Sequence, residues 1–430
     1  VELARESLHN SVTDPVSASM NFLNEIAGRF PDAISLAAGR PYEGFYATDD
    51  IARFLAIYTD HLRSEGLYEA QIRTRLMQYG RTNGHIHHLI ARMLAVDEGI
   101  EVPAEAVAVT AGCQEAMVIA VRGLCARPTD VILASSPCYV GITGAARVLG
   151  VDVVGVPESA GGLDPAAVAA TARAVRASGR TPRAMYLAPN FANPSGACLS
   201  TATRRALVDT ARAEDLLLLE DDPYGLFGVD DEPRPTLKSL DTDQRVIYLG
   251  SFAKTCFPGA RVGFLVADQT VVDATGRRTL LADELSTVKS MLTVNTSPLA
   301  QSVIGGMLVD AGFSLRAANK KTIEFYRANL HTLLASLHRH FPAAEHATHG
   351  VSWHAPRGGF FTVLNLPMVA DVALLELSAR SYGVLWTPMS FFYPDGGGTH
   401  SIRLAHSCLN PDQIEEAVTR LAHLITALQP

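Results

Sequence analysis

The sequence predicts an α/β protein, a mainly parallel seven-stranded sheet with helices on both faces joined to a smaller α+β domain. Two observations carry this. Between residues 105 and 267 short runs of leucine and β-branched residues alternate with helical stretches, the pattern of strands buried on both faces. The unusual residues of the chain follow directly on these runs, and in such sheets ligands sit beyond the carboxyl ends of the strands.

The seven strands are expected at Val107 to Thr110, Val131 to Ala134, Val151 to Val156, Ala184 to Ala188, Leu216 to Glu220, Arg245 to Gly250 and Val262 to Val266. Residues 1–45 read as an arm belonging with the small domain. In it Asp14-Pro15 opens the helix-like SASMNFLNEIA, and a short strand, Ala33 to Ala37, ends in the fixed loop Ala38-Gly39-Arg40-Pro41. Residues 46–310 are expected to form the large domain, with helical periodicity over 50–78 and a helix from His85 to Leu94. The small domain, 311–430, should contain a helix from Ala317 to Leu337, a strand from Phe361 to Asn365, a helix over 370–382, the loop Thr387 to Gly398, a strand from Ser401 to Ala405 and a closing helix from Pro411. Gly396 to Gly398 suit either a hinge or a surface tip.

Composition narrows the function. With 430 residues, 48% of them hydrophobic, the chain can bury one large core and a smaller one. A net charge of −8 argues against a nucleic-acid partner, and the sequence has no run of 18 apolar residues to span a membrane. Six scattered cysteines without a C-x-x-C pair read as reduced thiols of a cytoplasmic protein. Val1 to Arg5 do not read as a secretory leader, and a chain opening on Val1 is expected to have lost residues upstream. His85, His87 and His88 read as solvated helix histidines, not metal ligands, because these spacings share a helix face only at i, i+3.

The chemistry is organised around Lys254. It is the sole cation in the turn between Ser251 and Arg261, in a chain with only five lysines. An ammonium between buried strands is costly unless it is paired, deprotonated or consumed as an imine, and a lysine holding pyridoxal phosphate as a Schiff base is in that last state. The other strand ends supply what such a cofactor needs. Asp221 can keep its ring nitrogen protonated, Asn193 and Tyr224 can donate to its phenolic oxygen, and Tyr139 can face its ring. Its phosphate would find Gly112, Cys113 and Gln114 at a helix N-terminus, together with Ser251 and Arg261. Each feature alone is an ordinary strand-end turn; five consecutive strand ends carrying a complementary set are not. Arg403, in an otherwise apolar strand, calls for a carboxylate, either a substrate's or a structural partner's.

The motifs YGRTNG (79–84), TAGCQEA (110–116), PCY (137–139), NPSG (193–196), DDPY (221–224), SFAK (251–254), GARVGF (259–264) and SIRLAHS (401–407) resemble those of the fold type I, pyridoxal-phosphate-dependent aminotransferases of class I/II, over essentially the whole chain. This resemblance implies a homodimer in which Tyr79 reaches the partner's cofactor phosphate. It also implies a substrate α-carboxylate clamped by Arg403, with Gly39 beside it through its backbone. The substrate side is then Gly39, Asn193 and Arg403, and the catalytic set Lys254, Asp221 and Tyr224. Two departures, Ala253 and Cys113 where serines are usual, are expected to alter cofactor affinity. The segments SMNFLNE (19–25), AAGRPYEGF (37–45), SSPCYVGITGAAR (135–147) and TLKSLD (236–241) are similar to the (S)-3,5-dihydroxyphenylglycine transaminases of bacterial antibiotic pathways.

The expected reaction moves an amino group between an L-amino acid and a 2-oxo acid in two ping-pong halves, with Lys254 as the base at the substrate Cα. The expected substrate is an aryl glycine, with Tyr42, Tyr46 and Phe391 to Tyr393 offered as pocket aromatics. A basic or guanidino oxo acid near Glu43 is the alternative, as is lyase or oxidative chemistry on the same fold. A cofactor-sensing transcription regulator would need a basic DNA-binding module, for which 430 residues leave no room.

Overall fold

The structure, a computed structural model, describes residues 1–13, 25, 26, 28–159, 161–232, 234–345 and 349–428. The helix expected after Asp14-Pro15 lies outside these residues except at Glu25 and Ile26. All seven expected strands of the large sheet form. An eighth joins them, because Gly162–Leu163 turns back antiparallel onto Asp152–Ser159; two residues are too few to show a periodicity.

Across the sheet the strands run 107–110, 263–266, 246–251, 217–221, 181–187, 130–136, 152–159, 162–163. The five from 246–251 to 152–159 are parallel to their neighbours. Strand 263–266 is antiparallel to both strands beside it, so 107–110 points the same way as the parallel set. The carboxyl ends of 107–110, 130–136, 181–187, 217–221 and 246–251 therefore meet at one edge.

Alternation along the strands fills both faces. Ile132, Ala134 and Leu219 pack with the helix Cys113–Leu124 on one side, and Val131, Leu133 and Leu218 with the helices Pro165–Ala177 and Thr201–Ala213 on the other. Each of these leucine, isoleucine and valine side chains, fully buried, is worth about 1.5–3 kcal/mol. The helix starts are set locally: Asp164 and Ser200 accept from Ala166 N and Thr203 N, the side-chain caps that satisfy free helix amides.

A second sheet, entirely antiparallel, runs 352–353, 361–365, 401–405, 387–388. Its apolar face packs on the helix Pro411–Ala427 and the second half of Lys320–His340, and the arm joins it through Leu36 and Ala37. The helix expected over 370–382 starts at Val372 and widens into a π-turn at Ser378–Tyr382. The loop expected over 387–398 is more ordered than that, holding a strand at 387–388 and a 3₁₀ turn at Met389–Phe392. It is tied to the large sheet by Cys138 N donating to Phe392 O (2.9 Å) and Gly155 N to Asp395 Oδ2 (3.0 Å).

The expected solvated histidines differ among themselves. His85 is enclosed against Tyr58 and Ser302, and burial pushes its pKa down to about 3; His87 and His88 are partly buried. Ile86 and Leu89, which flank them, point into the core and draw that face inward. All six cysteines are free thiols, and among the described residues no helix is long and apolar enough to cross a membrane.

One buried cation links the fold to the site. Arg204, fully buried near the start of helix Thr201–Ala213, donates to Leu199 O (3.0 Å), Pro235 O (3.0 Å), Pro189 O (3.1 Å) and Asn190 Oδ1 (2.6 Å), and Asn190 Nδ2 donates to Asp222 Oδ2 (2.9 Å). It thus holds both ends of the loop 189–199 that carries Asn193. Replacing Arg204 by Leu takes the donor from Leu199 O, Pro235 O and the Asn190 amide oxygen, while Pro189 O keeps Leu199 N, so the stability measured by denaturant unfolding should fall by about 3–5 kcal/mol. A loss below about 1 kcal/mol would show that the loop holds itself.

Candidate active site

The carboxyl edge of the large sheet, the arm and the small sheet together enclose a cavity of about 350 Å³. Its wall includes Gly39, Cys113, Gln114, Tyr139, Asn193, Asp221, Tyr224, Ser251, Lys254, Arg261 and Arg403. Eleven residues singled out in the sequence therefore border one space. A twelfth, Gly112, is outside the wall and caps the helix that begins at Cys113.

Lys254 borders the cavity and is otherwise enclosed by protein; its Nζ donates to Gly39 O at 2.8 Å. Burial, then the positive charges of Arg403 and Arg261, push its pKa down to about 8, with Asp221 opposing. Asp221, the last residue of strand 217–221, accepts from Tyr186 Oη (2.6 Å) and Cys113 Sγ (3.6 Å). Burial pushes its pKa up to about 6, against those two donors and Lys254. It remains an anion at neutral pH inside an otherwise cationic cavity.

An anion site takes shape at the start of helix Cys113–Leu124. Gly112, at φ +77°, caps that helix, and a side chain there would collide with the Arg261 guanidinium. Arg261 itself is held at φ +49°, a conformation costly for a side-chain-bearing residue and kept where the surroundings require it. The result is a guanidinium laid against free helix amides, an anion site with two independent sources of positive potential. Ser251 Oγ accepts from Ala253 N (3.2 Å), leaving its proton free to donate.

Arg403 enters from the other sheet, paired with Val363 and Thr387 across the central strand. It donates to Asn193 Oδ1 (2.6 Å), Ala37 O (2.7 Å) and Thr387 Oγ1 (3.3 Å), and its guanidinium lies 4.4 Å from the Phe361 ring centre and 4.8 Å from that of Phe392. Among the described residues no carboxylate forms an ion pair with it, so the structural salt bridge open at the sequence level is not what holds it. Burial lowers its pKa to about 10. Because Asn193 Oδ1 is taken by Arg403, its amide N–H groups are the ones left to donate.

Some residues lie elsewhere. Tyr79 is 83% exposed and borders a separate surface groove with Arg75 and Arg81. Of the expected pocket aromatics only Phe392 borders the cavity; Tyr42 packs on Phe325 (4.7 Å) and Tyr46 faces Phe257 (6.5 Å). Glu43 also lies outside the wall. Sequence reading missed Tyr186 and Phe361. The signals were there: a tyrosine in an aliphatic strand one position from the carboxyl edge, and a phenylalanine following a glycine pair into a strand.

A family model for class I and II aminotransferases matches residues 57–421. The chain belongs to that family. This aminotransferase is 48% identical over 427 residues, 99% of its length and 95% of the relative's, to the (S)-3,5-dihydroxyphenylglycine transaminase of Amycolatopsis orientalis. It is 27% identical to aromatic-amino-acid aminotransferase 1 of Thermococcus litoralis, over 92% of this chain and 88% of that one. Among solved structures it resembles the alpha-aminoadipate aminotransferase of Thermus thermophilus complexed with N-(5'-phosphopyridoxyl)-L-leucine, with a TM-score of 0.79, 27% identity and 99% of both chains covered.

The cofactor of the aminotransferase is pyridoxal phosphate, and the cavity fits it: an amine of lowered pKa, one buried carboxylate, a helix-terminus anion site and an aromatic wall. The lysine sets a pH dependence. A neutral amine is the nucleophile, and a pKa near 8 makes half of Lys254 neutral about two pH units below the point expected for an ordinary lysine. The rate at which cofactor-free protein takes up pyridoxal phosphate should therefore rise with pH to a midpoint near 8. A midpoint near 10 would contradict the assignment of burial and flanking arginines as the cause.

Proposed function

We propose that this aminotransferase transfers the amino group of an aryl glycine, 3,5-dihydroxyphenylglycine or a close analogue, to or from a 2-oxo acid in the biosynthesis of a bacterial specialised metabolite. The identity of 48% to the transaminase of that substrate, spread over 99% of the chain, carries the reading. The site supports it. Around the cavity stand Arg40, Lys254, Arg261 and Arg403 against the single carboxylate Asp221, with Phe361 and Phe392 on the wall. Like charges brought together in a low-polarity site repel strongly, so a guanidino or other basic side chain is disfavoured and an uncharged ring suits the phenylalanine faces.

When bound, pyridoxal phosphate supplies an aldehyde that accepts the amino group and a ring that accepts the electrons released at Cα. Arg261, Ser251 and the amides of Gly112 to Gln114 hold the phosphate. Tyr139 would face the ring, and Asn193 and Tyr224 would donate to its phenolic oxygen. Asp221, braced by Tyr186 and Cys113, would keep a proton on the ring nitrogen. Arg403, aimed by Asn193, Ala37 and Thr387, clamps the substrate α-carboxylate beside Gly39, while Phe361 and Phe392 exclude water. Lys254, an amine of lowered pKa beside Gly39 O, would hold the cofactor through its aldehyde and would carry the proton at the substrate Cα.

Further features belong to the same proposal. Residues 1–45 with 311–430 form the small domain and 46–310 the large one, a division supported by the cluster joining Leu36 and Ala37 to residues 333–425. The protein works in the cytoplasm as a homodimer, with Tyr79 reaching the partner's cofactor phosphate. The exposure of Tyr79, Met77, Met291 and Leu292 favours a second copy there.

Two experiments test the reading. Lys254→Ala should lose the yellow colour of the lysine-bound cofactor and all turnover, while Asp221→Asn should keep the colour and lose about 10²- to 10⁴-fold in kcat. Assayed on a panel of amino acids, the wild-type protein should prefer aryl glycines to arginine and ornithine. Turnover of the basic amino acids alone would sink the substrate.

A further inference from the structure

Charge accounting leaves one cation of the cavity without a function. Arg261 faces the phosphate site, Lys254 holds the aldehyde carbon, and Arg403 is aimed at the α-carboxylate. Arg40 also borders the cavity, and the proposed reaction assigns it nothing.

The backbone that carries Arg40 is fixed on three sides. Ala37 O accepts from Arg403 Nη2 (2.7 Å), Gly39 O from Lys254 Nζ (2.8 Å) and Arg40 O from Ser407 Oγ (2.6 Å). A side chain at Gly39 would collide with the Phe361 ring, so the segment presses against the aromatic wall, and Pro41 restricts the residue before it to extended conformations. The stem of Arg40 therefore leaves the wall at a defined point, one residue from the carbonyl that touches Lys254. Its guanidinium is loosely held: the side chain is 63% exposed, and its one ion pair among the described residues is with Glu43 at 3.9 Å, itself 83% exposed. A solvated pair at that distance contributes little, so most of the five guanidinium donors are available.

We propose that Arg40 is a specificity residue that binds oxygen at the far end of the substrate side chain. This rests on the aryl-glycine reading above. The reacting Cα must sit beside Lys254 with its carboxylate at Arg403, and Arg40 is the remaining charged side chain of the wall able to meet the distal end. A forked guanidinium can donate two hydrogen bonds to ring hydroxyls, and equally to the distal carboxylate of a dicarboxylic amino donor. The shared chemistry is an oxygen acceptor four or more bonds from Cα; an unsubstituted ring or a methyl side chain offers none.

The test compares the wild-type holoenzyme with Arg40→Met and Arg40→Lys. Measured first are kcat/KM for 3,5-dihydroxyphenylglycine against phenylglycine, then for glutamate against alanine as amino donor. In Arg40→Met at least one of these two ratios should fall tenfold or more, chiefly through KM, and Arg40→Lys should recover part of it. A fall in the first ratio alone identifies ring hydroxyls as the ligand, a fall in the second alone the donor's carboxylate, and a fall in both a shared subsite. Equal losses on all four substrates, or no change in either ratio, would overturn the proposal. Failure of the wild-type enzyme to turn over either aryl glycine would instead remove the reading on which it rests, and the two failures are thus distinguishable.

Discussion

The structure depends on a concentration of positive charge that the protein does not neutralise with its own carboxylates. Lys254, Arg261 and Arg403 converge on a cavity whose wall holds one carboxylate, Asp221. Arg261 is exposed, but enclosing Lys254 and Arg403 is expensive unless each is hydrogen-bonded or paired. Arg403 is held by an amide oxygen, a backbone carbonyl and a hydroxyl, Lys254 by a carbonyl, and Arg261 lies over a helix end that repels it. These are neutral or unfavourable partners. The arrangement suits a site whose anions, a phosphate and a carboxylate, arrive with cofactor and substrate, and it lowers the Lys254 pKa to about 8 at the same time.

The two sheets exist in relation to that charge. The large sheet gathers five carboxyl edges on one side, which delivers Asp221, Lys254 and the helix amides of 112–114 to one line. The small sheet contributes Arg403 from its central strand, where hydrogen bonding on both sides fixes its position. Between them runs the segment 37–41, whose carbonyls are claimed in turn by Arg403, Lys254 and Ser407. A shift of that segment would move three functional groups together, since all three depend on the same few carbonyls. Arg204 acts similarly from below by fixing the loop that carries Asn193.

Much of this was legible in the sequence, and for physical reasons. Strands buried on both faces are continuous apolar runs, so the break at each carboxyl end is abrupt, and Asp221, Asn193 and Lys254 stand out against it. The strand Phe361–Asn365 and the helix from Pro411 were equally plain, the latter because Asn410 and Gln413 form a capping box around a proline start. What could not be read was set by tertiary packing. The role of Tyr186 depends on its strand lying beside 217–221, a neighbour relation that no local pattern encodes. Tyr42 and Tyr46 were misplaced because a loop aromatic can turn either way, and here the cluster of Phe325 and Tyr326 draws Tyr42 off. The histidines at 85–88 were misread as uniformly solvated because burial of one face depended on helix 298–310 packing against it.

The central claim is that this cavity exchanges an amino group through Lys254. It is tested most directly by a single half-reaction: holoenzyme mixed with 3,5-dihydroxyphenylglycine in the absence of any oxo acid, followed by absorbance and by assay of the released acid. The account predicts that the yellow form is converted to the amine form of the cofactor, with one 2-oxo acid released per site and none thereafter. Continued release of products with the yellow form persisting would contradict it, because that outcome belongs to elimination or oxidation and not to transfer.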